Sequence, residues 1–98
     1  MCMNLKELQR ISVETTRRYD KKMKMQHNAE ITLVHLVEEL GEISREIYNE
    51  KSGRDKLNKQ NLEGEIADVM ILVSNLAGRY DIDLEDAVKR KISELRGR

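Results

Sequence analysis

The chain has 98 residues, 37% of them charged and 39% hydrophobic, with 18 basic and 18 acidic side chains and a formal net charge of zero. That balance excludes charge-driven disorder and gives no electrostatic footprint for nucleic acid, so no nucleic-acid partner is expected. The length bounds the fold to one domain over residues 1–98, and the absence of Pro, Trp and Phe makes an all-helical chain the simplest reading.

Four helices are predicted. The first runs from about Leu5 to Gln26, with a sparse stripe through Leu5, Leu8, Ile11, Thr15, Tyr19 and Met23. Its other faces carry Arg17, Arg18, Lys21, Lys22 and Lys24, a solvated basic surface. The second begins after Asn28, a good N-cap, places Glu30 in its first turn, reaches about Glu50 and breaks at Ser52 and Gly53. The third spans about Asn61 to Tyr80, and Tyr80 falls near its apolar stripe, where core packing is expected. Its "VMILV" is apolar on every side, the mark of a helix buried all round. Four short helices can hardly enclose it, so a homodimer or homotetramer is expected to complete an antiparallel helical bundle. The fourth helix starts at Asp83, with Glu85 and Asp86 in the first turn and Lys89, Arg90, Lys91 and Arg96 toward its negative end.

The lone Cys2 allows no intrachain disulfide and points to a reducing, cytoplasmic setting. No signal-peptide pattern is present. The longest apolar run, Val69 to Val73, is far short of the roughly 20 residues that span a bilayer, so no membrane partner is expected.

Two stretches share one pattern. "LVEELGEI" (36–43) and "LEGEIADV" (62–69) each carry Leu-x-x-Glu-x-x-acid-aliphatic, so two helices present matched acid pairs. At roughly 100° per residue, Leu36, Leu40, Ile43 and Ile47 form the apolar arc of the second helix, with Glu39, Glu42 and His35 along its edge. On the third helix, Glu65 sits in the middle of the stripe of Leu62, Val69, Leu72, Val73 and Leu76, with Asp68, Asn61 and Asn75 flanking it. A carboxylate buried there must be neutralised, paired with a cation or bound to metal, because burying it bare costs several kcal/mol. Like charges clustered from two helices favour the metal, and four hard oxygen donors suit Mg²⁺, with Mn²⁺ as the second choice. His35 reads as a polar-edge residue, not a ligand. Glu46, one turn further on and with no matching acid across from it, reads as solvated.

These residues resemble a known family. "EELGE", giving Glu38, Glu39 and Glu42, followed by "EIAD", giving Glu65 and Asp68, is similar to the EExxE…ExxD signature of the MazG-type all-α nucleoside triphosphate pyrophosphohydrolases. "YDIDLEDAVKRKISELRGR" also resembles that family's closing segment. The resemblance implies Mg²⁺-dependent cleavage of a (d)NTP between its α and β phosphates to NMP and pyrophosphate, in service of nucleotide-pool sanitation, by a homodimeric or tetrameric helical bundle. It implies Glu39, Glu42, Glu65 and Asp68 as metal ligands, and a role for Glu38 in orienting or deprotonating water. Lys91 and Arg98 match the family's basic positions near the C-terminus, with phosphate contact or a helix-end role both open. Asn75 is a candidate for sugar or phosphate contact, and Tyr19, Tyr48 and Tyr80 are the aromatics available to a base pocket. Gly41 is read as letting another helix come close. Within the fold, phosphoribosyl-ATP pyrophosphohydrolase is the nearest rival; outside it stands a non-enzymatic helical interaction module with salt-bridged acids.

Overall fold

Asx side chains open all four helices. In a computed structural model that describes residues 3–23 and 28–98, α1 spans Leu5–Met23, α2 Ala29–Lys51, α3 Lys59–Arg79 and α4 Leu84–Arg96. Cys2, Lys24 and the expected end of the first helix at Gln26 lie outside the described residues. Asn4, Asn28, Asn58 and Asp83 each accept, through a side-chain oxygen, the backbone N–H three residues on, which fills a donor left orphaned at a helix start. The third helix therefore begins two residues earlier than its apolar periodicity suggests.

Ser52 closes α2, and Gly53 at φ +78° turns the chain where a side chain would be strained. Between α3 and α4, Asp81 takes φ +54°, a left-handed conformation that Asp tolerates better than most residues. Asp83 is held below the usual carboxylate range, chiefly by the Asp86 N–H and against the pull of burial, with Lys6 at 3.3 Å adding to the effect. Tyr80 ends α3 as its C-cap and is 64% exposed, so the expected core role is overturned: its helical angle ceases to apply where the helix stops.

Most of the packing runs through α3. α2 and α1 each lie along it, α4 touches the end formed by α1 and α3, and among the described residues α1 and α2 do not pack on one another. The bundle is all-helical but not closed. Opposed pairs show that α2 and α3 are antiparallel: Glu46 and Glu42 meet Glu65, and further along Thr32 meets Asn75. α1 is fastened to the α3–α4 turn by Gln9, which donates to the Ile82 carbonyl and accepts from the Leu84 N–H at 3.1 Å. Its seam with α3 passes through buried Ser12 and close to Gly78, while Thr15, Tyr19 and Met23 of the expected stripe are exposed.

The second helix departs from its expected arc in an informative way. Leu36 and Ile43 are half-buried, but Leu40 (49% exposed) and Ile47 (41%) face outward, and the half-buried row holds Glu39 and Glu46 instead. A second apolar stripe, Leu33, Val37, Leu40 and Ile47, is left to solvent. Met70 and Ile71 of the "VMILV" run are likewise exposed. Among the described residues Ala77, 8% exposed, is the one buried apolar side chain. The radius of gyration, 15.8 Å, exceeds the ~13 Å of a compact domain of this length, so one copy leaves apolar surface uncovered. No helix of the described residues is long and apolar enough to cross a membrane.

Candidate metal centre

The antiparallel register of α2 and α3 aims acids at one another. Glu39, Glu42 and Glu65 each bring a carboxylate oxygen within 4.8 Å of the other two. Asp68, exposed and one turn along from Glu65, stays outside that group of three. It forms a shared wall between two clefts: one of about 320 Å³ with His35, Glu38 and Glu39, and one of about 350 Å³ with Glu46, Asn61 and Glu65.

The electrostatics record the crowding. The Glu65 carboxyl is pushed from its ordinary 4.5 to about 7, first by a hydrogen bond shared with Glu46, then by burial and by the charges of Glu46 and Glu42. Glu39 is raised by burial, then by Glu42, Asp68 and Glu38, and His35 opposes that rise. Glu46 is thus not the solvated residue expected from sequence. It faces Glu65 because the interhelical register, invisible in either helix alone, sets it there. The Oε2 of Glu46 and the Oε1 of Glu65 are sealed from solvent and, with both acids ionised, meet no donor; the bond between the two acids needs a proton on one of them. Two ionised carboxylates offer each other no donor, so the pair holds together only around a proton or a cation. No Lys or Arg among the described residues forms an ion pair with Glu39, Glu42, Glu46, Glu65 or Asp68. Hard, converging oxygens that no described Lys or Arg neutralises fit Mg²⁺ or Mn²⁺ by donor chemistry.

The remaining expected site residues are scattered. Glu38 is exposed at the rim of the Asp68 cleft. Asn75 is buried, its Oδ1 accepting from Arg79 Nε at 2.8 Å and facing Thr32 Oγ1 at 3.5 Å. Lys91 and Arg98 lie exposed on and just beyond α4, paired with Glu94 at 3.6 and 3.0 Å, and neither lines the two acid clefts. Gly41 has no atom within 4 Å of where a Cβ would stand, so within one copy no helix comes close to it. Beside the acids, a third cavity of about 370 Å³ opens between Thr15, Thr16 and Tyr19 of α1, Thr32 and His35 of α2, and α3 at Asn75. Of the three tyrosines, Tyr19 lines this cavity, while Tyr48 is exposed and packs its ring against Arg54 at 5.7 Å.

An all-helical scaffold that converges carboxylates from two antiparallel helices, with a cavity alongside, has the donor set of a helical divalent-metal site. The chain matches the MazG nucleotide pyrophosphohydrolase domain over residues 27–98 and belongs to that family. A Bacillus subtilis (strain 168) protein described as "Uncharacterized protein YpjD" is 39% identical over 61 residues, a match covering 59% of this chain and 55% of that protein. The match thus spans little more than half of the relative's length. No solved structure matches significantly.

Proposed function

We propose that this chain hydrolyses nucleoside triphosphates between the α and β phosphates, releasing NMP and pyrophosphate, and that it removes surplus or non-standard (d)NTPs in the cytoplasm. The observation that carries the reading is the convergence of Glu39, Glu42 and Glu65 within 4.8 Å, with no Lys or Arg among the described residues paired to them. Glu39, Glu42 and Glu65 would hold Mg²⁺, with Asp68 completing the set from the shared wall of the clefts. When bound, the metal supplies charge neutralisation on the phosphates. Glu38, exposed at the cleft rim, accepts a proton from the attacking water, and Glu39 orients that water beside it. Water adds to the α phosphorus as the bond to the bridging oxygen breaks, and pyrophosphate leaves with that oxygen. His35 moderates the charge at Glu39. Lys91 and Arg98 take the helix-end reading, since both pair with Glu94 near the end of α4 and neither lines the acid clefts.

The test is pyrophosphate release from a panel of NTPs, dNTPs and phosphoribosyl-ATP with Mg²⁺ or Mn²⁺. Release from the triphosphates is expected. Release from phosphoribosyl-ATP alone would move the chain to that activity, and none from any substrate would end the enzyme reading.

The same reading includes a homodimer or homotetramer. Leu33, Val37, Leu40 and Ile47 repeat at the spacing of a helix–helix seam and are exposed in one copy. Light scattering should show at least a dimer at micromolar concentration and a smaller species for Val37→Glu. A stable wild-type monomer would overturn this.

A further inference from the structure

Asn75 is 3% exposed, yet it lines the 370 Å³ cavity next to the acids. Arg79 Nε–H can only donate, so the Asn75 atom 2.8 Å from it must be the oxygen. That contact fixes which way the amide points. The other end, Nδ2, donates to none of the described residues and is not among the sealed polar atoms without a partner, which are Ser12 Oγ, Glu46 Oε2, Glu65 Oε1 and Ser74 Oγ. Asn75 lines the cavity, and an amide end that is neither bonded to a described residue nor sealed offers its two N–H groups to it as donors held in one orientation.

The cavity's chemistry says what those donors meet. Among the described residues no Lys or Arg lines it, which suits it better to a ring than to phosphate; Tyr19, Ile71 and Leu72 give it flat and apolar walls. It shares His35, Ile71 and Leu72 with the acid cleft, so one ligand can occupy both. Along α3, Asn75 stands two turns beyond Asp68, about 10 Å at the helical rise, toward the far edge of a base whose phosphates lie at the acids.

We propose that Asn75 Nδ2 donates to a carbonyl oxygen on the far edge of the substrate's nucleobase, and that Arg79 is the positioning residue that keeps the amide from turning over. This rests on the acids being the pyrophosphohydrolase centre. The substrate class is then nucleotides with an oxo group at that edge, uracil, thymine, guanine or hypoxanthine, in preference to cytosine or adenine, whose amino groups would leave the donors unpaired.

Pyrophosphate release should favour UTP over CTP, and ITP over ATP, by about tenfold in kcat/KM, the worth of one hydrogen bond at a buried donor, carried mainly in KM. Asn75→Asp keeps the shape and the Arg79 contact but removes the donors, so the preference should vanish or reverse. Arg79→Ala, an exposed change that spares the fold, frees the amide to present either end, so the ratio should fall toward one. A purely structural role for Arg79 would lower both members of each pair equally. Calorimetry of uridine and cytidine binding to the metal-free protein reads the same preference without turnover. Turnover with no oxo preference, or a preference untouched in both variants, overturns the assignment while leaving the enzyme reading intact. Absence of turnover overturns the enzyme reading, and nucleoside binding then decides the pocket alone.

Discussion

Replacing Glu65 by Gln should stop the enzyme and relax the metal-free protein. Loss of an outer partner of a bound metal already costs about 10- to 100-fold in affinity or activity, and Glu65 is one of three acids that converge directly. Pyrophosphate release by Glu65→Gln should therefore fall by on the order of 10²-fold or more. Stability should move the other way. Gln carries no charge to repel Glu42 and Glu46, and its amide N–H₂ can donate to the sealed, unpartnered oxygen of Glu46.

The pH dependence separates this from a trivial packing effect. Glu65 is raised from 4.5 to about 7, so between those values the folded state binds more protons than the unfolded one. Stability is then full below about 4.5 and is lost as pH climbs through about 7. Glu39, raised by burial and by the neighbouring acids Glu42, Asp68 and Glu38, adds to the slope. Metal-free wild type should melt at a lower temperature at pH 8 than at pH 5.5, and Glu65→Gln should show a flatter profile. Mg²⁺ competes with those protons, so its effect should be larger at pH 8 than at pH 6. A ligand of the folded state alone adds about 2.7 kcal/mol at a hundredfold excess over Kd, on the order of 10 °C in Tm for a chain this small. The Mg²⁺ shift should disappear in Glu65→Gln. Equal shifts in both proteins, or none in wild type, would mean that the acids are not a metal site, and an interaction module would become the better reading.

Why Glu65 was legible in the sequence and Glu46 was not is a matter of which physics each depends on. An acid inside a 3.6-residue apolar stripe betrays itself, because the helix carrying it defines its own buried side. Whether Glu46 is solvated depends on how far α3 slides along α2, and no single helix encodes that. The spacing of Glu42 and Glu46, four apart on one face, was the available hint. α2 misleads further by carrying two apolar stripes: the one with Leu40 and Ile47 is the greasier, yet α3 packs on the one with Leu36, Glu39, Ile43 and Glu46. Helix ends are readable where a cap residue adjoins a clear pattern, as at Asn28, Ser52–Gly53 and Asp83. The Asn58 cap is hidden in the sequence because Lys59 and Gln60 add no apolar signal before Leu62. The Asn75–Arg79 pairing was also latent in an i, i+4 spacing, but its meaning rests on the burial of Asn75, which only the packing supplies.

Gly78 should be the most sensitive position away from the acids. A Cβ built there would lie 2.6 Å from Val13 Cγ2, with Gln9 Nε2 at 3.8 Å, so α1 and α3 approach through a space only hydrogen fills. Two effects of Gly78→Ala oppose each other. Helix propensity favours Ala by about 1 kcal/mol in a helix interior, and by less here, next to the end of α3 at Arg79. Overpacking costs about 1–3 kcal/mol, and the offending methyl belongs to a β-branched residue whose χ1 is stiff. Relief therefore means moving α1, but Gln9 ties α1 to the Ile82 carbonyl and the Leu84 N–H. The clash should win, with Gly78→Ala about 1–2 kcal/mol less stable in denaturant melts and Gly78→Val worse. Val13→Ala in the same chain should recover on the order of 1 kcal/mol, a favourable coupling that independent sites do not show. Strictly additive losses would mean that the two helices are not held at this contact. The displacement should reach the nucleotide as well, because the same helix carries Thr15, Thr16 and Tyr19 to the wall of the neutral cavity. Gly78→Ala should accordingly raise KM for the triphosphate more than it lowers kcat, since the acids sit between α2 and α3 and do not depend on where α1 lies.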